Sequence, residues 1–298
     1  MSVFNRVLAC SLPLVPKPIV RRVASPYLAG ENASDLLRVA ASLNREGFMV
    51  AAAMLGEFVT RREEAEEAVR EYRTLLGQLH AAGVDGYVHV KPTHLGLKLD
   101  REFCLDNVRQ LLDAARANGQ FVRLDMEDSP CIDDTLDVYH RLRRDFDNVG
   151  AVLQARMRRS IADARELAKV KANVRVCKGI YIEPHAIAYT DPEIINHNFV
   201  TLVEELAGAG CYVGIATHDE RLVWEAERIV ERLRLTREQY EFQMLLGVLT
   251  PLRSVIHAAG HRLRVAVPYG PNWYPYSLRR LRKNPAIAGY VLKSFFKG

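Results

Sequence analysis

The 298-residue chain has no run of about 20 apolar residues, the length a helix needs to cross a bilayer. It has no Cys-x-x-Cys. Its five cysteines, Cys10, Cys104, Cys131, Cys177 and Cys211, are scattered and odd in number. That pattern argues against a disulfide framework and against a zinc site, and it suits a reducing compartment; the expected location is the cytoplasm, with no metal. No Gly-x-Gly-x-x-Gly follows the first apolar run, so the fingerprint of an open dinucleotide-binding sheet is missing. No Pro/Gly/Ser-rich linker divides the middle and no period of roughly 20–50 residues repeats. Neither two domains nor a solenoid is expected.

Acidic residues are absent from residues 1–30 and again from 242–298, while both stretches carry several Arg and Lys. Two readings fit this asymmetry in a chain of net charge +5. One is a basic site for anionic ligands. The other is a peripheral membrane patch on anionic lipid, where each basic residue contributes on the order of 1 kcal/mol. Nucleic acid is not expected, because no basic motif is interleaved with stacking aromatics. Residues 7–20 carry Pro13, Pro16 and Pro18 and no small-residue cleavage site, so they read as an N-terminal arm and not as a signal peptide.

What is present is an alternation of β-rich and helical segments. Strands are predicted at 47–55, 86–91, 121–125, 150–155, 174–178, 212–217, 240–245 and 264–268, mostly apolar throughout as strands covered on both faces should be. Amphipathic stretches such as 63–82, 100–118 and 193–209 lie between them, with Gly83, Gly119 and Gly210 at the C-cap positions. Eight strands, each followed by a helix, predict an α/β fold, a (β/α)8 TIM-type barrel with an N-terminal helical arm. The expected organisation is a single domain over 1–298: arm to about 45, barrel 46–285, C-terminal tail 286–298.

Chemistry in such a barrel sits at the C-terminal strand ends. Those positions hold Glu57, Lys91, Asp125 with Glu127 and Asp128, Gln154, Arg175 and Lys178, Thr217 with His218, and Gln243. Each alone reads as a surface group or a helix cap. Converging on one mouth, they make a cation-rich site suited to phosphate, pyrophosphate or carboxylate. Near the C-terminus, Tyr276, Arg279 and Arg280 share a helical face at i, i+3 and i+4. Paired arginines there would fork onto a carboxylate, with the tyrosine ring as an apolar wall.

Taken together, these motifs resemble the proline dehydrogenase family over about residues 55–285. They run in order: Leu55-Gly56-Glu57; Val90-Lys91; Arg123-Leu124-Asp125-Met126-Glu127; Leu153-Gln154-Ala155; Arg175-Val176-Cys177-Lys178-Gly179; Ala216-Thr217-His218-Asp219; Glu241-Phe242-Gln243-Met244-Leu245; Val267-Pro268-Tyr269-Gly270, then Tyr276-x-x-Arg279-Arg280. The resemblance implies a distorted barrel with noncovalent FAD at its mouth, oxidation of proline to pyrroline-5-carboxylate, and transfer of electrons to a membrane quinone. It assigns Arg279 and Arg280 to the substrate carboxylate, Glu57 to an arginine of that helix, and Tyr276, Leu245, Tyr181 and Lys91 to the substrate, with Arg175, Lys91 and Asp125 as the catalytic residues. Gln154, Arg175, Lys178, Gly179, Thr217, His218 and Gln243 fall on the cofactor side, with Arg175 beside the reactive N5 edge.

The sequence departs from the family pattern at Ala266, where a tyrosine is common, and at Ile180, Arg156 and Lys283. The substrate-binding residue Ala266 would open space beside the ring, so hydroxyproline or another cyclic amino acid is an alternative substrate. Two other classes stay open from the residues alone: a Schiff-base lyase or aldolase using Lys91 or Lys178, and a non-catalytic barrel.

Overall fold

The computed structural model describes residues 17–283, with the side chains of Ile19, Val23 and residues 279–283 outside the description. The first part of the expected arm (1–16) and the expected tail (286–298) also lie outside it. Eight parallel strands pair in sequence order and close on themselves: β1 (Met49–Met54), β2 (Gly86–Val90), β3 (Val122–Leu124), β4 (Val149–Gln154), β5 (Asn173–Cys177), β6 (Tyr212–Ala216), β7 (Tyr240–Leu245) and β8 (Leu263–Tyr269). Closure is by β1 on β8, with Ala51 beside Ala266 and Met54 beside Tyr269. All eight predicted strands form, within two residues of their expected ends.

The described helices are α1 (Lys17–Ala24), α2 (Ala33–Arg45), α3 (Arg62–Ala81), α4 (Arg101–Ala117), α5 (Ile132–Leu142), α6 (Ser160–Lys169), α7 (Pro192–Gly208), α8 (Glu220–Leu233), α9 (Thr250–Ala258) and α10 (Trp273–Lys283). Sequence chemistry sets their ends. Asp100 caps α4 by accepting from the amides of Glu102 (2.9 Å) and Phe103 (3.2 Å), and Asp191 caps α7 in the same way. Gly83, Gly119 and Gly210 take positive φ just past α3, α4 and α7, as their C-cap positions predict.

The apolar core is the layer between strands and helices. On α3 it takes in Leu75, Leu76 and Leu79, each essentially fully buried. Each such leucine contributes roughly 1.5–3 kcal/mol of transfer free energy.

The inside of the barrel is different. Polar side chains at alternate positions, among them Tyr87, Arg123, Glu241, Gln243 and Arg264, are buried there and bond across it. The expectation of strands apolar on both faces therefore holds only for the face toward the helices. Period-two alternation gives each strand a second face, and here that face carries a hydrogen-bonded network.

The polypeptide before β1 packs on the barrel. The Ala29 amide donates to the Pro268 carbonyl (2.9 Å) and the Gly270 amide to the Gly30 carbonyl (3.0 Å). Helix α1 lies against α10, with Lys17 over the Tyr274 ring and Arg21 over the Trp273 ring. Among the described residues no helix is long and apolar enough to cross a membrane.

Candidate active site

The site is built in layers up the barrel. At its base, Arg264 on β8 and Glu241 on β7 form a buried two-point ion pair at 2.8 and 2.9 Å. Glu241 also accepts from the Tyr212 hydroxyl (2.9 Å) and from the Gln243 amide (2.7 Å). The guanidinium of Arg264 lies 4.1 Å from the centroid of the Tyr87 ring, close enough for a cation–π contact.

Arg175 on β5 joins this base to the mouth. Its Nε donates to Gln243 Oε1 (2.9 Å), and the Gln243 amide in turn donates to the Tyr87 hydroxyl (2.9 Å). Gln243 thereby orients Arg175 from below, with its amide hydrogens committed to Tyr87 and Glu241 and its Oε1 accepting from Arg175.

Above this level β2 and β3 present a charged pair. Nδ1 of His89 lies 3.1 Å from Oδ1 of Asp125, although the two are not aligned as a hydrogen bond. Burial opposes ionisation of Asp125, but His89, Arg175 and Lys91 outweigh it and hold the carboxyl well below the usual carboxylate range. Burial holds the His89 imidazole below its ordinary value, against the pull of Asp125. Lys91, at the end of β2, reaches the Gly56 carbonyl at 3.4 Å, one residue before Glu57.

The other candidates lie around the rim. Lys178 is paired with Asp219 at 2.7 Å, so its charge is partly matched from within the chain. Thr217 accepts from the Asp219 amide (3.0 Å), a turn-forming bond. His218 Nε2 accepts from the Leu245 amide (2.9 Å), which fixes Leu245 and puts the proton of a neutral ring on Nδ1. Leu245 is in register with Ala266, and both pack with Ala51, Tyr87 and Phe121. Tyr181 follows the exposed Ile180, and its carbonyl accepts from Arg156. Tyr276 is half-buried on α10; Arg279 and Arg280 follow it on that helix, with side chains outside the description.

The strand-end reading missed Tyr87 and His89. Their signal was the spacing Tyr87, His89, Lys91, which puts three polar residues on one face of β2.

Buried polar atoms at the mouth without a hydrogen bond among the described residues include Gln154 Oε1, His89 Nε2 and Arg156 Nε, and Asp125 Oδ1 has only its unaligned contact with His89. Gly179, at φ +92°, lies so close that a Cβ there would stand 2.5 Å from Gln154 Oε1 and 2.9 Å from Arg156. Buried polar atoms are nearly always paired, so a cluster of orphans beside a glycine cradle and the half-buried Arg175 guanidinium is what a polar ligand would complete.

The sequence profile of the family described as proline dehydrogenase matches residues 36–293. The chain belongs to the proline dehydrogenase family. Its relatives in that family include a proline dehydrogenase of Deinococcus radiodurans, 34% identical over 281 residues, which cover 93% of this chain and 91% of the relative. Proline dehydrogenase 1 of Bacillus subtilis is 31% identical over 92% of this chain and 91% of its own length. Among solved structures, proline utilization A from Bdellovibrio bacteriovorus, inactivated by N-propargylglycine, superposes with a TM-score of 0.81 at 24% identity. That likeness covers 87% of this chain but 32% of the larger protein, and it supports the TIM-type barrel alone.

Proposed function

We propose that this protein is a flavin-dependent oxidoreductase that converts L-proline to 1-pyrroline-5-carboxylate at the C-terminal mouth of the barrel, with FAD as its noncovalent cofactor. The observation that carries this reading is the set of buried atoms without a hydrogen bond at the mouth, next to the half-buried Arg175 that Gln243 holds in place. The donor set fits a flavin: an orphaned amide oxygen on Gln154, a cation on Arg175, and a glycine at 179 that permits close approach of a ring system. When bound, FAD supplies the two-electron acceptor that no protein side chain can provide.

The chain's own residues have four tasks. Arg279 and Arg280 bind the proline carboxylate, and Tyr276, Leu245 and Tyr181 enclose the ring; fixing the substrate at two points turns an encounter into an oriented complex. Arg175, half-buried and held from below by Gln243, stabilises negative charge that develops on the acceptor side. Asp125, held ionised, and the adjacent His89 set the electrostatics where the amine must lose its proton. The C–H bond next to nitrogen breaks with both electrons leaving as hydride, the nitrogen lone pair forms the C=N bond, and the N–H proton departs to solvent.

A quinone as final electron acceptor and a peripheral contact with anionic lipid belong to the same reading, supported by the acid-free, basic segments 1–30 and 242–298. A second reading keeps the chemistry and widens the substrate. Ala266 lies in register with Leu245 and beside Ala51, so two of the side chains around the expected ring position are as small as alanine. The test is to supply L-proline and 4-hydroxyproline separately with an artificial acceptor and trap the cyclic imine with o-aminobenzaldehyde. Imine from proline supports the principal reading, and comparable rates from both substrates support the second. No imine from either overturns both.

A further inference from the structure

Glu127 follows β3 by three residues and is fully buried, yet it carries a carboxylate. Both of its oxygens go to one residue: Oε1 accepts from the Thr93 hydroxyl (2.6 Å) and Oε2 from the Thr93 amide (3.0 Å). Thr93 passes the connection on. Its hydroxyl oxygen accepts from the Phe58 amide (3.0 Å) and its carbonyl from the Val59 amide (3.3 Å). Phe58 sits at φ +51°, a conformation a bulky side chain adopts only when its surroundings impose it. The residue before it is Glu57, and Gly56 before that holds the Lys91 ammonium. In the other direction, the Glu127 backbone carbonyl accepts from the Gln154 amide at 2.7 Å. One buried residue therefore ties together the segments that follow β1, β2 and β3 and the end of β4.

The direction of the relay depends on the carboxylate. An ionised carboxylate only accepts, so the Thr93 hydroxyl must point its proton at Glu127 and present a lone pair to Phe58. A group that donates instead would turn the hydroxyl around. Burial pushes the Glu127 carboxyl up to about 7; the two bonds from Thr93 and the nearby Lys91 favour the charged form, and Glu57 opposes it. A group with this desolvation cost is a poor choice for stability alone, since an apolar residue of similar volume would fill the space without it.

We propose that Glu127 is a positioning residue for the oxidation, holding the 56–59 segment with Glu57 in place through Thr93 while its carbonyl sets the amide of Gln154. The substrate side and the cofactor side of the mouth are thereby fixed in one frame. This rests on the proposed reaction at that mouth, and the test separates the two.

The variants are Glu127→Gln, Thr93→Val and Thr93→Ser in the full chain. Three quantities are measured for each: hydrogen exchange at the 56–59 amides, the thermal midpoint at pH 8, and KM and kcat for proline. Glu127→Gln is expected to speed exchange at 56–59 by about tenfold or more and to raise KM about tenfold, with kcat within about threefold. Its thermal midpoint should be equal to or higher than that of the wild type. Thr93→Val should reproduce the exchange and KM changes, which keeps the test open if Glu127→Gln fails to fold. Thr93→Ser, which keeps the hydroxyl, should restore most of the wild-type behaviour. Unchanged exchange and KM in both Glu127→Gln and Thr93→Val would overturn the positioning role alone. A wild type that does not oxidise proline would overturn the reaction and this proposal with it.

Discussion

The lower and upper halves of the barrel interior are both polar and both buried, but they differ in how completely they are paired. At the base, each Glu241 oxygen accepts two bonds, from Arg264 and Gln243 on one and from Arg264 and Tyr212 on the other. Arg264 also donates to the Val50 carbonyl (3.0 Å), and Arg123 donates to the carbonyls of Ala151 (3.0 Å) and Asn173 (2.8 Å). One Arg123 nitrogen there is unpartnered. At the mouth, Gln154, His89 and Arg156 each leave a buried atom without a hydrogen bond, and Asp125 Oδ1 meets only the unaligned His89. A polar network closed on itself holds a structure; one with unmet hydrogen-bonding capacity can take up a ligand.

The comparison breaks if disruption at the base and at the mouth has the same consequence. The largest effect is expected from Glu241→Ala, which strands the buried Arg264 charge and should cost about 3–5 kcal/mol in denaturant unfolding. A loss below about 1 kcal/mol would show that the base is not a closed network. Arg175→Ala should act the other way round. Proline turnover should fall about 100-fold or more, while stability falls by only about 1–3 kcal/mol from the unpaired Gln243 oxygen. If Arg175→Ala unfolds the protein while the surviving fraction keeps its turnover, Arg175 belongs with the base.

A smaller, pH-dependent difference separates the carboxyls of the mouth. Glu127 is raised to about 7 in the folded state, so its contribution to stability is present below its unfolded value of 4.5 and lost as pH rises toward 7. Its field includes Lys91 and Glu57, and it acts in turn on Tyr181, Tyr72, Cys104 and Cys131. Thermal midpoints from pH 5 to 8 should therefore decline less steeply for Glu127→Gln than for the wild type. Asp125 is depressed, so its contribution is present above its unfolded value and lost only as pH falls through its lower folded one; Asp125→Asn should flatten the acid limb of the same profile.

The smallest effect belongs to the surface. Lys169 and Glu166, one turn apart on α6 and both well exposed, form an ion pair at 2.7 Å. Lys169→Ala should move stability by no more than about 0.5 kcal/mol.

The barrel was legible because strand order and helix ends are local properties. Apolar runs of strand length, N-caps such as Asp100 and C-cap glycines such as Gly83 are written in adjacent residues. The rim of the site was legible for the same reason, since a polar residue at a strand end stands out against an apolar run. What did not show was partnership. That Gln243 would bond Arg175, Tyr87 and Glu241 depends on barrel closure bringing β2, β5 and β7 within reach of one another. Nor does a lysine after a strand show that Asp219, 41 residues later, pairs with it. Thr93 carried no signal, because a lone threonine after Lys91-Pro92 resembles any turn residue, and its weight comes from Glu127 and Phe58 in space.

The most direct test is the visible absorption spectrum of the purified protein supplied with FAD, recorded without oxygen before and after an excess of L-proline. The account predicts a flavin band that persists through gel filtration and bleaches when proline is added. A protein that retains no flavin, or a retained band that neither proline nor hydroxyproline bleaches, would contradict it.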